Sequence, residues 1–121
     1  MCQSPDMDFG VSDPVGEAGR GNVAVIEVRG ELDIQSVPLL EAVLVPVAGR
    51  GGQVILDGTG LTFTDSTGVS LFLRTHRDAM DASGRFDLVV VEPIVLRVLE
   101  LSGLIGVLNI HETVEQARQV G

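Results

Sequence analysis

Short apolar, β-branched runs alternate along this chain with segments whose apolar residues recur at helical spacing. That alternation narrows the choice of fold more than any other feature. Val23-Ala24-Val25-Ile26-Glu27-Val28 ends at Gly30, and Gln53-Val54-Ile55-Leu56-Asp57 is nearly all apolar. Phe86-Asp87-Leu88-Val89-Val90-Val91 is the third such run. Runs of this kind read as strands, and continuous ones as strands buried on both faces. Between the first two, Val37, Leu40, Leu44 and Val47 fall at 3.6-residue spacing, with Ser36 placed to cap and Pro38 tolerated in the first turn. From Thr67 to about Asp81, Val69, Phe72, Leu73, His76 and Met80 predict a second helix. Pro93 to Ser102 predicts a third, closed by Gly103. A last strand over Ile105 to Ile110 and a helix over Glu112 to Val120, with Val114 and Ala117 inward, complete the pattern. Strands alternating with helices imply an α/β domain with a mostly parallel or mixed sheet and crossover helices.

A chain of 121 residues has room for one domain and one modest core. With few aromatics and no Trp or Tyr, a core of Val, Leu and Ile is expected. Residues 1–21 are rich in Gly, Pro, Asp and Ser. They read as a flexible segment in which only Met7-Asp8-Phe9-Gly10-Val11 can form a short edge strand, followed by a mobile loop from Ser12 to Gly21. The folded domain is expected over 22–121.

The net charge of −9 argues against nucleic acid, which needs clustered cations. All eight cationic side chains are Arg. Acidity is compatible with a protein partner that carries a basic face. No apolar run approaches the roughly 18–20 residues of a membrane span, and the N-terminus has neither the basic start nor the apolar stretch of a secretory signal. The lone Cys2 cannot form an internal disulfide. These features point to a soluble cytoplasmic protein.

One segment carries chemistry. Leu61-Thr62-Phe63-Thr64 runs into Asp65-Ser66-Thr67-Gly68 just before the second predicted helix, so two adjacent hydroxyls stand at a helix mouth whose N–H groups lack partners. Ser66 is expected at or next to the N-cap, exposed and able to satisfy a helix N–H. A phosphate there adds about −1.5 to −2 charges. The helix end would tolerate much of that charge, while a partner shaped for a neutral hydroxyl would not. The pattern suggests a charge switch at the surface without refolding.

Catalysis by Ser66 is a poor fit. His76 lies ten residues further along the same helix, roughly 15 Å away along the axis, too far for a Ser–His pair. His111 stands alone, and one Cys with two separated His gives no metal-ligand spacing. The Gly58-Thr59-Gly60 stretch lacks a full nucleotide-binding fingerprint and any following Lys. No catalytic residue, metal or cofactor is expected.

Gly30-Glu31-Leu32-Asp33, the Val54-to-Asp57 strand, Leu61 to Gly68, Ser83-Gly84-Arg85 and Val98-Leu99-Glu100-Leu101-Ser102-Gly103-Leu104 resemble, in order, the blocks of a STAS domain. More narrowly, they resemble the bacterial anti-sigma factor antagonists. The resemblance spans about residues 22 to 119. It implies a small mixed β-sheet with helices packed on one face and no catalytic activity. In that family the unmodified protein binds an anti-sigma factor, often a serine kinase, and frees the sigma factor. The kinase phosphorylates the first hydroxyl residue after the motif's Asp, here Ser66, with Thr67 as the alternative. A metal-dependent serine phosphatase reverses the step.

The same resemblance places Asp33 and Asp65 beside this position. Their functional reading is partner contact, and the alternative is turn and cap chemistry. Gly68 can admit a close approach by the partner or simply the packing of a helix start. Two positions depart from the family pattern. Gly58-Thr59-Gly60 follows Asp57 where a hydrophobic residue is common, which predicts a flexible turn. Leu96 stands where a charged residue is more usual, which predicts an exposed second contact surface. The rival function is a non-switching STAS interaction subunit of a stress-sensing or lipid-transport complex, in which the Ser66 hydroxyl is a fixed contact.

Overall fold

The structure, a computed structural model, describes residues 9–16 and 23–120. Ten elements follow one another: β1 (Gly10–Val11), β2 (Val15–Gly16), β3 (Val23–Leu32), α1 (Val37–Ala48), β4 (Gln53–Thr64), α2 (Ser66–Asp81), β5 (Arg85–Val90), α3 (Pro93–Leu101), β6 (Asn109–His111) and α4 (Val114–Gln119). They build one six-stranded sheet in the order β1-β3-β4-β5-β6, with β2 also paired to β3. The strands from β3 to β6 are parallel, and β1 and β2 run antiparallel to β3, so the sheet is mixed.

Even-numbered residues of β3, β5 and the first half of β4 face the main core. Ile26 and Val28 of β3, Val54 and Leu56 of β4, and Phe86, Leu88 and Val90 of β5 pack under α1, α2 and α3. Those helices contribute Leu40, Leu44 and Val47, then Val69, Leu71 and Phe72, then Val95 and Leu99. A fully buried Leu or Phe is worth about 1.5–3 kcal/mol, so this layer dominates stability. The short helix α4 lies on the opposite face, where Ala117 and Val114 close over Val23, Val25, Ile55 and Val89.

Several expectations need correction. The edge strand is real but short, with Gly10–Val11 paired to Val28 and Arg29; Cys2, Met7 and Asp8 lie outside the described residues. The loop expected from Ser12 contains β2, because Val15 and Gly16 find partners on β3; its residues 17–21 lie outside the described ones. Asp57 to Gly60 is no turn. Here β4 continues unbroken to Thr64, because β3 offers a parallel partner along its length, and irregularities in register absorb the extra residues. Glycine suits the first of these, since a Cβ on Gly58 would sit 2.8 Å from the Val89 carbonyl oxygen.

The inward face of α2 is also turned from the expected one. Gly68, Val69, Leu71, Phe72, Thr75 and Ala79 are buried, whereas Met80 is 59% exposed and Leu73 and His76 are only half-buried. Small residues bring this helix close to the sheet, and a reading weighted by apolar side chains passes over them. Leu96 is half-buried against the main core and does not form the expected exposed surface. Residues 104–108 form a turn held by N–H groups of Val107 and Leu108 on the Leu104 carbonyl, so β6 starts only at Asn109.

Candidate functional site

Parallel strands β3 and β4 end side by side, with Leu32 opposite Thr64 and the Asp65 amide donating to the Leu32 carbonyl at 3.3 Å. This pairing brings the loop 33–36 next to the start of α2. Asp33 and Asp65, far apart in sequence, therefore lie on adjacent chain ends.

Asp65 is the N-cap of α2, and Ser66 is its first helical residue. The Asp65 Oδ1 accepts from the amides of Thr67 at 2.9 Å and Gly68 at 3.3 Å, and from the Thr67 hydroxyl. Burial alone would raise the Asp65 carboxyl. Hydrogen bonds from the Thr67 hydroxyl, the Gly68 and Thr67 amides and the Ile34 amide outweigh it and hold the carboxyl below its ordinary range. Asp65 is therefore a fixed negative charge at neutral pH.

The capping role expected of Ser66 thus belongs to its neighbour. Ser66 is exposed, and its hydroxyl has no hydrogen-bond partner among the described residues. Thr67 is half-buried and its hydroxyl is committed to Asp65. Two hydroxyls that look equivalent in sequence are thereby distinguished: one is free and one is engaged.

Asp33 displays turn chemistry. Its Oδ1 accepts from the amides of Gln35 at 3.0 Å and Ser36 at 3.2 Å, as in an Asx turn. Ser36 does not cap α1 through its side chain. Its hydroxyl donates to the Glu31 carbonyl at 2.7 Å and accepts from the Asp33 amide at 2.9 Å, which ties the loop to the end of β3.

Gly68 is buried, and its Cα faces the sheet. A Cβ there would stand 2.1 Å from Thr64 Oγ1 and 2.9 Å from Leu32 Cδ2. Helix-start packing therefore accounts for this glycine. Replacing it with Ala should impose an overpacking cost of about 1–3 kcal/mol, which the better helix propensity of Ala offsets by at most about 1 kcal/mol. A net destabilisation of about 1–2 kcal/mol is the expected result for Gly68→Ala in urea unfolding. An unchanged midpoint would show that Leu32 and Thr64 move aside freely.

Ile34 is a feature the sequence reading passed over. It is 70% exposed, and its amide reaches the Asp65 carboxylate, so an exposed apolar side chain stands on the loop next to the cap of α2. The sequence signal was an isolated Ile directly after the Gly-Glu-Leu-Asp block, outside any periodic pattern. With Glu31 and Asp33 nearby in the chain and Asp65 brought alongside by the strand pairing, the end of the sheet combines acidic residues with this exposed apolar side chain.

Neither histidine approaches Ser66 as a base. His76 is almost three turns along α2, and His111 Nε2 lies 2.8 Å from Asp87 Oδ1 under α4, on the far face of the sheet. Among the described residues no group of three or more His, Cys, Asp or Glu could hold a metal ion, and no helix is long and apolar enough to cross a membrane.

A mixed sheet with its helices stacked mainly on one face, and an exposed Ser just after the Asp that caps the second helix, define a small α/β domain with one distinctive polar corner. The family model for the STAS domain matches residues 18–117, and the chain belongs to that family. It is 31% identical over 91 residues to the anti-sigma-B factor antagonist of Staphylococcus epidermidis, spanning 74% of this chain and 84% of that one. The anti-sigma-B factor antagonist of Bacillus subtilis (strain 168) is 27% identical over 85 residues, or 70% and 78% of the two chains. Among solved structures, the anti-sigma factor antagonist SpoIIAA in its unphosphorylated form superposes with a TM-score of 0.71 at 28% identity, covering 93% of this chain and 96% of that one. An anti-sigma factor antagonist from Mycobacterium paratuberculosis shares the fold with a TM-score of 0.83 at 23% identity, covering 98% and 97%. Each of these relatives is named as an antagonist of an anti-sigma factor.

Proposed function

We propose that this chain is an anti-sigma factor antagonist that is switched by phosphorylation of Ser66. Unmodified, it binds an anti-sigma factor that is itself a serine kinase, through the end of the sheet carrying Asp33, Asp65, Ser66, Thr67 and Gly68. Ile34 adds an apolar contact, and Gly68 acts by letting α2 seat closely. The kinase then transfers the γ-phosphoryl group of ATP to Ser66 Oγ. The new O–P bond forms as the bond to the ADP oxygen breaks, and the hydroxyl proton is lost. A serine phosphatase restores the hydroxyl. Such a cycle belongs in the cytoplasm, where the transcription machinery works.

The observation that carries this reading is the difference between the two hydroxyls. Ser66 is exposed and unpartnered, while Thr67 is held by Asp65. The relatives support it in kind, since solved structures include SpoIIAA in both unphosphorylated and phosphorylated forms.

Incubation with the partner kinase and ATP, followed by intact mass and peptide mapping, is expected to place one phosphate on Ser66. Ser66→Ala should remain unmodified even with Thr67 present. Absence of phosphate on Ser66, under conditions that modify a control antagonist, would point to a non-switching interaction module.

A further inference from the structure

Helix N-termini ordinarily attract phosphate, because their first amides have no intrahelical partners and the helix dipole favours an anion. In α2 that position is already filled from within the chain. The Val69 amide donates to the Asp65 carbonyl, and the Thr67 and Gly68 amides donate to Asp65 Oδ1. Of the first-turn amides only that of Ser66 remains. The Thr67 hydroxyl, which could also have served a neighbouring phosphate, is bonded to the same carboxylate oxygen.

We infer that Asp65 is a positioning residue for the phosphoserine: by occupying the start of α2 it keeps a phosphate on Ser66 out of the helix terminus and directs it outward, at the partner-facing surface. This departs from the expectation that the helix end tolerates much of the added charge. The capping carboxylate and a dianion on the next residue repel each other, and both would need the same two amides. A phosphate free to fold back would be partly neutralised and partly hidden. One held outward presents its full charge where a neutral hydroxyl had been. The inference rests on Ser66 being the modified residue, but it concerns the behaviour of the phosphate once present.

The test uses the full chain with phosphoserine installed at position 66 during synthesis, so no kinase is required. The phosphorus resonance is followed by NMR against pH in the otherwise wild-type chain and in its Asp65→Asn and Asp65→Ala forms. A phosphoserine has a second pKa of about 6. The wild-type chain should titrate at or above that value, because the neighbouring carboxylate disfavours the dianion. Asp65→Asn keeps a good N-cap while removing the charge, and should titrate at least about 0.5 unit lower than wild type. Asp65→Ala also vacates the amides and should titrate lower still, with the Thr67 and Gly68 amide protons shifting along with the phosphorus. If the alanine form fails to fold, its amide spectrum shows it, and the asparagine form carries the comparison.

Equal values in wild type and Asp65→Asn would overturn the inference. So would a wild-type value well below 6 accompanied by titrating Thr67 and Gly68 amides, which would place the phosphate in the helix terminus despite Asp65. Failure of any kinase to modify Ser66 would count against the proposed function and leave this titration untouched.

Discussion

A phosphate on Ser66 is expected to weaken binding to the anti-sigma partner by about 100-fold or more, on the order of 2.8 kcal/mol, and Ser66→Asp by at least about tenfold. Ser66→Ala should bind as tightly as the unmodified chain and should not respond to the kinase. The ordering follows from charge and size. Ala removes a hydroxyl that has no partner among the described residues, so it disturbs little on the protein's own side. Asp adds one charge on a short side chain beside an ionised Asp65, and phosphate adds nearly two with greater bulk. In a contact that excludes water, an unpaired anion is costly to desolvate, which is why the effect exceeds that of an exposed surface charge. Ile34 supplies a control: Ile34→Ala should weaken binding of the unmodified chain without altering its phosphorylation-dependent ratio. Titration calorimetry or fluorescence anisotropy with the isolated partner measures all of these. Equal affinity of Ser66→Ala and Ser66→Asp would contradict the switch.

The parts of the fold that could be read in the sequence are those whose information is local. β3, β5 and α1 announce themselves through β-branched runs or helical spacing, and Leu40, Leu44 and Val47 are buried as that spacing requires. Where a long-range partner decides the outcome, local pattern misleads. Gly58-Thr59-Gly60 has the composition of a turn, yet it is strand because β3 runs alongside it. Gly68, Thr75 and Ala79 carry little apolar weight, yet they set the buried face of α2 because their smallness allows close approach. At the site, the motif put Ser66 at or next to the N-cap of α2, and the cap itself is Asp65. Which of three consecutive polar residues caps a helix depends on backbone angles at its first turn. The extended conformation of Asp65 gives it the cap, and that frees Ser66. Ile34 joins the site only because β3 and β4 end at the same level.

Asp87→Ala is expected to destabilise the domain by about 2–4 kcal/mol at pH 7, a large share of the roughly 5–15 kcal/mol typical of a domain this size. This side chain is fully buried on the α4 face of the sheet. Its carboxylate accepts from Arg85 Nε and a terminal guanidinium nitrogen, both at 2.8 Å, and from Gln53 Nε2 at 3.0 Å. His111 Nε2 lies 2.8 Å away, and Gln53 Nε2 also donates to the Ala117 carbonyl at 2.8 Å, tying the cluster to α4. Removing the acceptor leaves these donors without it in a buried site. Arg85 is part-exposed and can turn to water, which is why the expected cost falls short of that for a fully buried ion pair.

The pH dependence gives the check. Burial acts to raise the Asp87 carboxyl, but the hydrogen bonds from Arg85, Gln53 and His111 outweigh it and hold it below its ordinary range. A carboxyl lowered in the folded state adds stability that is complete above its unfolded pKa of about 3.9, and that stability is lost as pH falls towards the folded value. The gap between wild type and Asp87→Ala should therefore be widest near neutrality and shrink below about pH 4. Asp65 titrates with the same sign but is present in both chains, so it cancels in the difference. Urea unfolding of the two proteins at pH 7 and pH 3 measures this, and a gap that is small at pH 7 or constant between the two would overturn the assignment. Because the cluster lies across the sheet from α2, any folded fraction of Asp87→Ala should still accept phosphate at Ser66. Stability and switching would then separate onto the two faces of one small sheet.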